Sequence, residues 1–108
     1  MIPVVSIYEA SDARALARGT LLDVRTPEEY AAGHIDGAVL IPLHVVPLRT
    51  SELRRAETYY VVCESGARSA QATQFLLGQG YDARSVQGGM SAWHTAGLPV
   101  ASGMASAR

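Results

Sequence analysis

Cysteine occurs once in this chain, at position 63, so no internal disulfide can form and a structural zinc site built from several thiolates is excluded. Lysine does not occur at all; the nine basic residues are all arginine, a compositional bias that carries no function by itself. An excess of charge of either sign is also missing. The formal net charge of -1 gives no field that would draw in nucleic acid or an anionic membrane. No apolar run approaches the ~18 residues of a membrane span. The opening MIPVVSIYEA lacks the basic stretch and long apolar core of a signal peptide. These absences together lead to the expectation of a reducing, cytoplasmic setting that would suit a free thiol. They also make a monomer the expected state, and Met1 leads us to expect a whole protein.

What is present fits one modest domain. A chain of 108 residues can bury a core without staples, and 48% hydrophobic with 18% charged residues is ordinary for a globular fold. Short apolar runs alternate with amphipathic stretches, which argues for layered α/β structure. Strands are expected at Val4 to Ile7, Leu21 to Val24, Ala38 to Ile41, Tyr59 to Val62 and Ala83 to Val86. Helices are expected from Ser11 to Arg18 closed by Gly19, from Thr26, from Ala67 to Gln79 and from Gly89 to Ala96. Thr26-Pro27-Glu28-Glu29 has the form of a capping box with proline at the first helical position. Pro47 interrupts any helix through 43–55, so two short helical pieces are predicted there, around 43–48 and 51–55. The domain is predicted to span 1–100, with 101–108 a small polar tail expected to be disordered.

The stretch VVCESGARSA, residues 61–70, carries the chemistry. In open α/β sheets, ligands bind beyond the carboxyl ends of the strands, where a loop enters a helix. Cys63 falls there, just past YYVV and just before the helix expected from Ala67. Gly66 allows the backbone to fold with its N–H groups inward, and such a nest, with a helix N-terminus, holds an anion. Both effects favour a thiolate. Arg68 stands in the first helical turn as a charged fork beside the same cavity. A lone cysteine after an apolar strand is more often a small core residue. A core residue, however, needs no glycine nest, helix start or nearby guanidinium around it.

Three segments, LLDVRTPEEYAAGHIDGAVLIPL, YYVVCESGARSAQATQFLLGQGY and VQGGMSAWHTAGLPV, in this order and spacing, resemble a single-domain rhodanese over residues 4 to 100. The resemblance implies a three-layer α/β/α fold with a five-stranded, mainly parallel sheet. It also implies a sulfurtransferase whose loop cysteine, here Cys63, takes a sulfane sulfur as a persulfide. Backbone N–H groups of the loop Cys63, Glu64, Ser65, Gly66, Ala67 and Arg68 would cradle that sulfur. The implied donor is thiosulfate or a persulfide, and the acceptor cyanide, a thiol or a protein cysteine; no metal or organic cofactor is implied. Glu64 departs from a common pattern, since many thiosulfate-using members have arginine directly after the cysteine. A carboxylate there would repel a dianionic donor, unless it simply points to solvent.

Cysteine phosphatases use a similar Cys, nest and Arg, but their loop holds one more residue between the two than Glu64, Ser65, Gly66 and Ala67 provide. The tighter cradle suits sulfur better than a phosphoryl group. An arsenate reductase would commonly need further cysteines. A non-catalytic rhodanese-like binding module is the remaining alternative, although such modules often lack the cysteine. Around the loop, Asp23 is expected to accept loop N–H bonds and Arg25 to pair with a helix carboxylate. His34 is expected to fix a turn, and His44 and His94 to lie at the surface. Trp93 is expected in the core, and Gly88-Gly89 to permit close approach to the active loop.

Overall fold

Residues 1–104 are described in the computed structural model of the chain. Five strands, β1 (Val4–Val5), β2 (Thr20–Asp23), β3 (Val39–Leu40), β4 (Thr58–Val62) and β5 (Asp82–Val86), form one sheet in the order β1-β5-β4-β2-β3. Every pairing in it is parallel. Three α-helices connect strands, α1 (Ile7–Ala15), α2 (Pro27–Ala32) and α3 (Ala67–Gly78), and a fourth, α4 (Gly89–Thr95), follows β5. Two 3-10 turns, Leu43–Leu48 and Thr50–Glu52, bridge β3 to β4. Pro47 lies inside the first of them, where its missing N–H would have broken an α-helix. None of the described helices is long and apolar enough to cross a membrane.

The side-chain alternation of β4 separates two cores. Tyr60 and Val62 pack with Ile7, Ala10, Tyr30, Met90 and Trp93, on the face covered by α1, α2 and α4. Tyr59, Val61 and Cys63 pack with Val46, Ala72 and Leu76, on the face covered by α3 and the first 3-10 turn. Each fully buried Val or Leu adds roughly 1.5–3 kcal/mol of hydrophobic stabilisation. A sheet apolar on both faces has to be covered on both, and the result is the three-layer α/β/α arrangement read from the sequence.

Most elements lie within a residue or two of their predicted places, and the first helix is the exception. It begins at Ile7, not Ser11, because Ser6 and Glu9 form a capping box: the Ser6 hydroxyl accepts from the Glu9 N–H, and Glu9 accepts from the Ser6 N–H. The predicted first strand accordingly ends at Val5. Gly19 does not close that helix either. A Cβ at Gly19 would lie 2.7 Å from both the Thr58 carbonyl oxygen and the Tyr60 ring, so the glycine serves the approach of β2 to β4. The chain end is tied down at Ala101, which exchanges backbone hydrogen bonds with His34 at 2.8 and 2.9 Å. Of the tail expected to be disordered, residues 105–108 lie outside the described residues.

Candidate active site

β2 and β4 are neighbours and run in parallel, but the helices that follow them go to opposite faces of the sheet. A crevice opens at their carboxyl ends, the place where ligands bind in such sheets. Cys63 sits there, 1% exposed, directly after β4. A thiol this buried can meet only the end of a substrate, not its body.

The loop around the sulfur is shaped by glycine. Gly66 caps α3 with φ 115°, a conformation that L side chains rarely adopt, and its N–H donates to Cys63 Sγ at 3.0 Å. The Ser69 hydroxyl lies 3.6 Å from Sγ, 3.1 Å from the Gly66 carbonyl and 2.8 Å from the Ser85 hydroxyl. With Ser85 donating to Ser69, the Ser69 proton is able to turn toward a thiolate. Burial pushes the Cys63 thiol up. Hydrogen bonds from the Ser69 hydroxyl and the amides of Ser69, Gly66 and Ser65 outweigh it, so the net shift is downward.

The loop is also clamped from α4. Met90 and Ser91 donate their N–H groups to the carbonyls of Cys63 and Glu64 at 2.8 and 2.9 Å. A Cβ on Gly89 would come within 2.3 Å of the Cys63 carbonyl oxygen, so only glycine fits at that position. The close approach expected of Gly88-Gly89 is therefore present.

Charged side chains surround the mouth. Asp23 and Arg25, both buried, form a two-pronged pair at 2.8–3.2 Å, and Asp23 also accepts the Arg25 N–H. Arg25 was expected to pair with a helix carboxylate. It pairs instead with Asp23 two residues back, donates to the Gly33 carbonyl at 2.8 Å and meets Glu64 at 3.5 Å. The short separation lets β2 end on its own ion pair, without help from a helix. Glu64 has a side chain 45% exposed but does not stand alone: its other oxygen accepts from the Ser91 hydroxyl at 3.1 Å.

Arg68 is expected from the sequence as a charged fork beside the cavity. It is engaged at both prongs by Glu29, at 2.7 and 2.9 Å. Glu29 simultaneously closes the capping box of α2. The Arg68 guanidinium first, and the Thr26 amide after it, hold the Glu29 carboxyl down at about 2. Cys63 and Asp23 lie near enough to Arg68 to add to the upward shift that Glu29 causes in it.

His34 is fully buried, stacked on Tyr30 with ring centroids 3.7 Å apart, and its Nδ1–H donates to the Tyr30 carbonyl at 2.7 Å. It fixes the turn after α2, as expected. Trp93 is buried and donates to the Pro99 carbonyl at 2.9 Å, whereas His44 and His94 are exposed. Sequence reasoning missed Ser69 and Ser85. Their signal was a small polar residue at positions whose neighbours, Ala72 on the helix and Ala83 on the strand, are core residues.

The Rhodanese-like domain model matches residues 6–96. A sulfurtransferase of Allochromatium vinosum is 43% identical over 81 residues, covering 74% of this chain and 76% of that one. A chloroplastic thiosulfate sulfurtransferase of Arabidopsis thaliana is 36% identical, over 89% of this chain and 90% of its own. Among solved structures, a rhodanese-related protein of Thermoplasma volcanium superposes with a TM-score of 0.86 at 31% identity, covering 92% of this chain and 97% of the other. By sequence and by fold, this chain belongs to the rhodanese-like domain family.

Proposed function

We propose that the chain is a sulfurtransferase that carries a sulfane sulfur on Cys63. The observation behind this reading is the hydrogen-bonding of Cys63 Sγ by the Gly66 amide and the Ser69–Ser85 hydroxyl chain, at the carboxyl edge of the sheet. The family match and the names of the relatives support a reaction of the sulfurtransferase kind. The thiolate of Cys63 attacks the outer sulfur of thiosulfate or of a persulfide. The bond from that sulfur to its carrier breaks, and its electron pair leaves with sulfite or with the carrier thiolate. Cys63 persulfide then remains as an anion. The backbone of Glu64, Ser65, Gly66, Ala67 and Arg68 offers it N–H groups, as the amides of Ser65 and Gly66 already do for the thiolate. Attack by cyanide, a thiol or a protein cysteine on the terminal sulfur returns the Cys63 thiolate. No general base is required, because the loop already favours the thiolate. We expect the protein to act as a monomer in a reducing compartment such as the cytoplasm, on small sulfur compounds or partner thiols.

Intact mass after exposure to thiosulfate or a small persulfide is the direct test. One added sulfur is expected, removable by cyanide as thiocyanate, and absent from Cys63→Ser. A wild-type chain that gains no sulfur from either donor overturns the proposal.

A further inference from the structure

One row of side chains crosses the sheet on the face covered by α3. Strand register aligns Val4, Ser85, Val61, Leu22 and Val39 across the five strands. Ser85 is the one polar residue in that row, and it is 4% exposed. A buried hydroxyl among aliphatic neighbours costs stability unless it is hydrogen-bonded. Its partner is Ser69 of α3, with 2.8 Å between the hydroxyl oxygens. Thr73, one turn beyond Ser69 on the same helix, offers a contrast. It is fully buried too, yet its hydroxyl has no hydrogen-bond partner. Burial under α3 therefore does not by itself give a hydroxyl a partner.

The Ser69 hydroxyl has one proton and three neighbours. The Gly66 carbonyl can only accept, Ser85 can donate or accept, and Cys63 changes role with its charge. As a thiol, Cys63 donates to Ser69, and the Ser69 proton goes to the Gly66 carbonyl. As a thiolate, Cys63 needs a donor. The Gly66 carbonyl can release Ser69 because it also accepts the Ala70 N–H at 3.0 Å. Ser85 then donates to the Ser69 oxygen in place of the thiol, and a donor at that oxygen strengthens the hydrogen bond that Ser69 gives.

We propose that Ser85 is a positioning residue for Cys63: it turns the Ser69 hydroxyl onto Sγ when that atom carries the charge, and so promotes release of the carried sulfur. The release step rests on the sulfur-transfer reading above. In the loaded chain the charge sits on the outer sulfur, and Sγ is its neutral neighbour. When cyanide or a thiolate attacks the outer sulfur, the S–S bond breaks and its electron pair passes to Sγ. Charge then appears at the atom that Ser69 faces, and total charge is the same on both sides. Ser85 acts through Ser69 and leaves the charged groups around the loop in place: Asp23 and Arg25 after β2, Glu29 of α2, Glu64, and Arg68 of α3.

Threonine and valine have nearly the same shape and differ by a hydroxyl in place of a methyl, so Ser85→Thr and Ser85→Val separate hydrogen bonding from packing. Alkylation of Cys63 by iodoacetamide is followed against pH. Ser85→Val should slow it about threefold at neutral pH and move its profile to higher pH, with the limiting rate at high pH near that of wild type. Ser85→Thr should stay within about 1.5-fold of wild type. In a Ser69→Ala background, Ser85→Val should slow alkylation no further, because its effect passes through Ser69. Thr73→Val should leave the profile unmoved. Removal of sulfur from loaded Cys63 by cyanide, read as thiocyanate released, should slow about threefold in Ser85→Val and stay near wild type in Ser85→Thr. Ser85→Ala, with the same expected effects as Ser85→Val, takes its place if valine prevents folding. Equal profiles for the threonine and valine variants overturn the inference and assign position 85 to packing. So does a valine effect that persists in full without Ser69, or a profile moved as far by Thr73→Val. Slower alkylation with an unchanged cyanide step overturns the role in sulfur release alone. A wild-type chain that takes up no sulfur overturns the function, and the alkylation profiles still decide whether Ser85 acts on the thiolate.

Discussion

Two loops leave the carboxyl edge of the sheet side by side, and they are held by opposite means. After β2, the turn at 24–26 is fixed by side chains: Asp23 grips Arg25, and Thr26 and Glu29 close the cap of α2. After β4, the turn at 63–66 is fixed by backbone, with α4 amides donating to the loop carbonyls and a glycine at φ 115°. The reason lies in what each must leave open. Side-chain clamps occupy the space they bridge, which suits a support. On the sulfur-transfer proposal, a loop that receives an extra sulfur atom needs N–H groups turned to it and thin walls, and glycine backbone supplies both.

The largest expected effect comes from breaking the support. Asp23→Ala leaves the Arg25 guanidinium, 3% exposed, without its main counter-charge. A loss of about 3–5 kcal/mol in folding stability is expected from a buried pair broken on one side. Urea denaturation measures it. A loss below about 1 kcal/mol would mean that Glu64 takes over as partner, and the contrast between the loops would shrink accordingly.

Gly89→Ala attacks the other loop. The added methyl would overlap the Cys63 carbonyl oxygen at 2.3 Å, at a position with φ 55°. Backbone cannot yield as a flexible side chain does, so destabilisation of roughly 2–3 kcal/mol is expected. Thermal denaturation reports the stability. Alkylation of Cys63 should slow as well, whereas Asp23→Ala should change alkylation less than it changes stability.

How much of this was legible beforehand follows the same division. The capping box at Thr26 and the strand YYVV were readable because local chemistry determines them. Gly66 and the Gly88-Gly89 pair were readable because glycine before a helix start signals close backbone approach. Ser6 carries an equally readable capping signal, but it lies inside the apolar run VVSI, which favours a strand. The partners of Arg25 and Arg68 were not legible. A guanidinium is long enough to reach several carboxylates, and only the fold selects Asp23 over a helix residue and brings Glu29 opposite Arg68 across 39 positions. The Ser69–Ser85 contact joins a helix to a strand 16 residues on, and no local pattern encodes it.

The exception within the backbone-held loop is Ser69, whose side chain is hydrogen-bonded to the sulfur, and removing it gives a smaller effect. Ser69→Ala deletes the hydroxyl that most favours the thiolate once burial is overcome, so the Cys63 pKa should rise. Alkylation by iodoacetamide at neutral pH should slow by about fivefold, with its pH profile moved to higher pH. The limiting rate at high pH should stay near that of wild type. An unchanged profile would show that the amides of Ser65 and Gly66 suffice, and the loop would then be held by backbone alone.

The smallest effect concerns the bridge between the two loops. Glu29 belongs to the side-chain-held turn and Arg68 to the helix of the reactive one, and their pair is partly exposed. Because the Glu29 carboxyl is held at about 2 against an ordinary 4.5, its contribution is complete above 4.5 and disappears as pH falls through about 2. Solvent screening limits that contribution to on the order of 0.5–1 kcal/mol. Wild type and Arg68→Gln should thus differ by this small amount at pH 6 and converge as the pH approaches 2. Added salt should narrow the gap at pH 6 as well. A gap unchanged by both acid and salt would assign the role of Arg68 to packing of its aliphatic stem beside Leu43, which lines the same hollow, and the two loops would then be joined by apolar contact instead of charge.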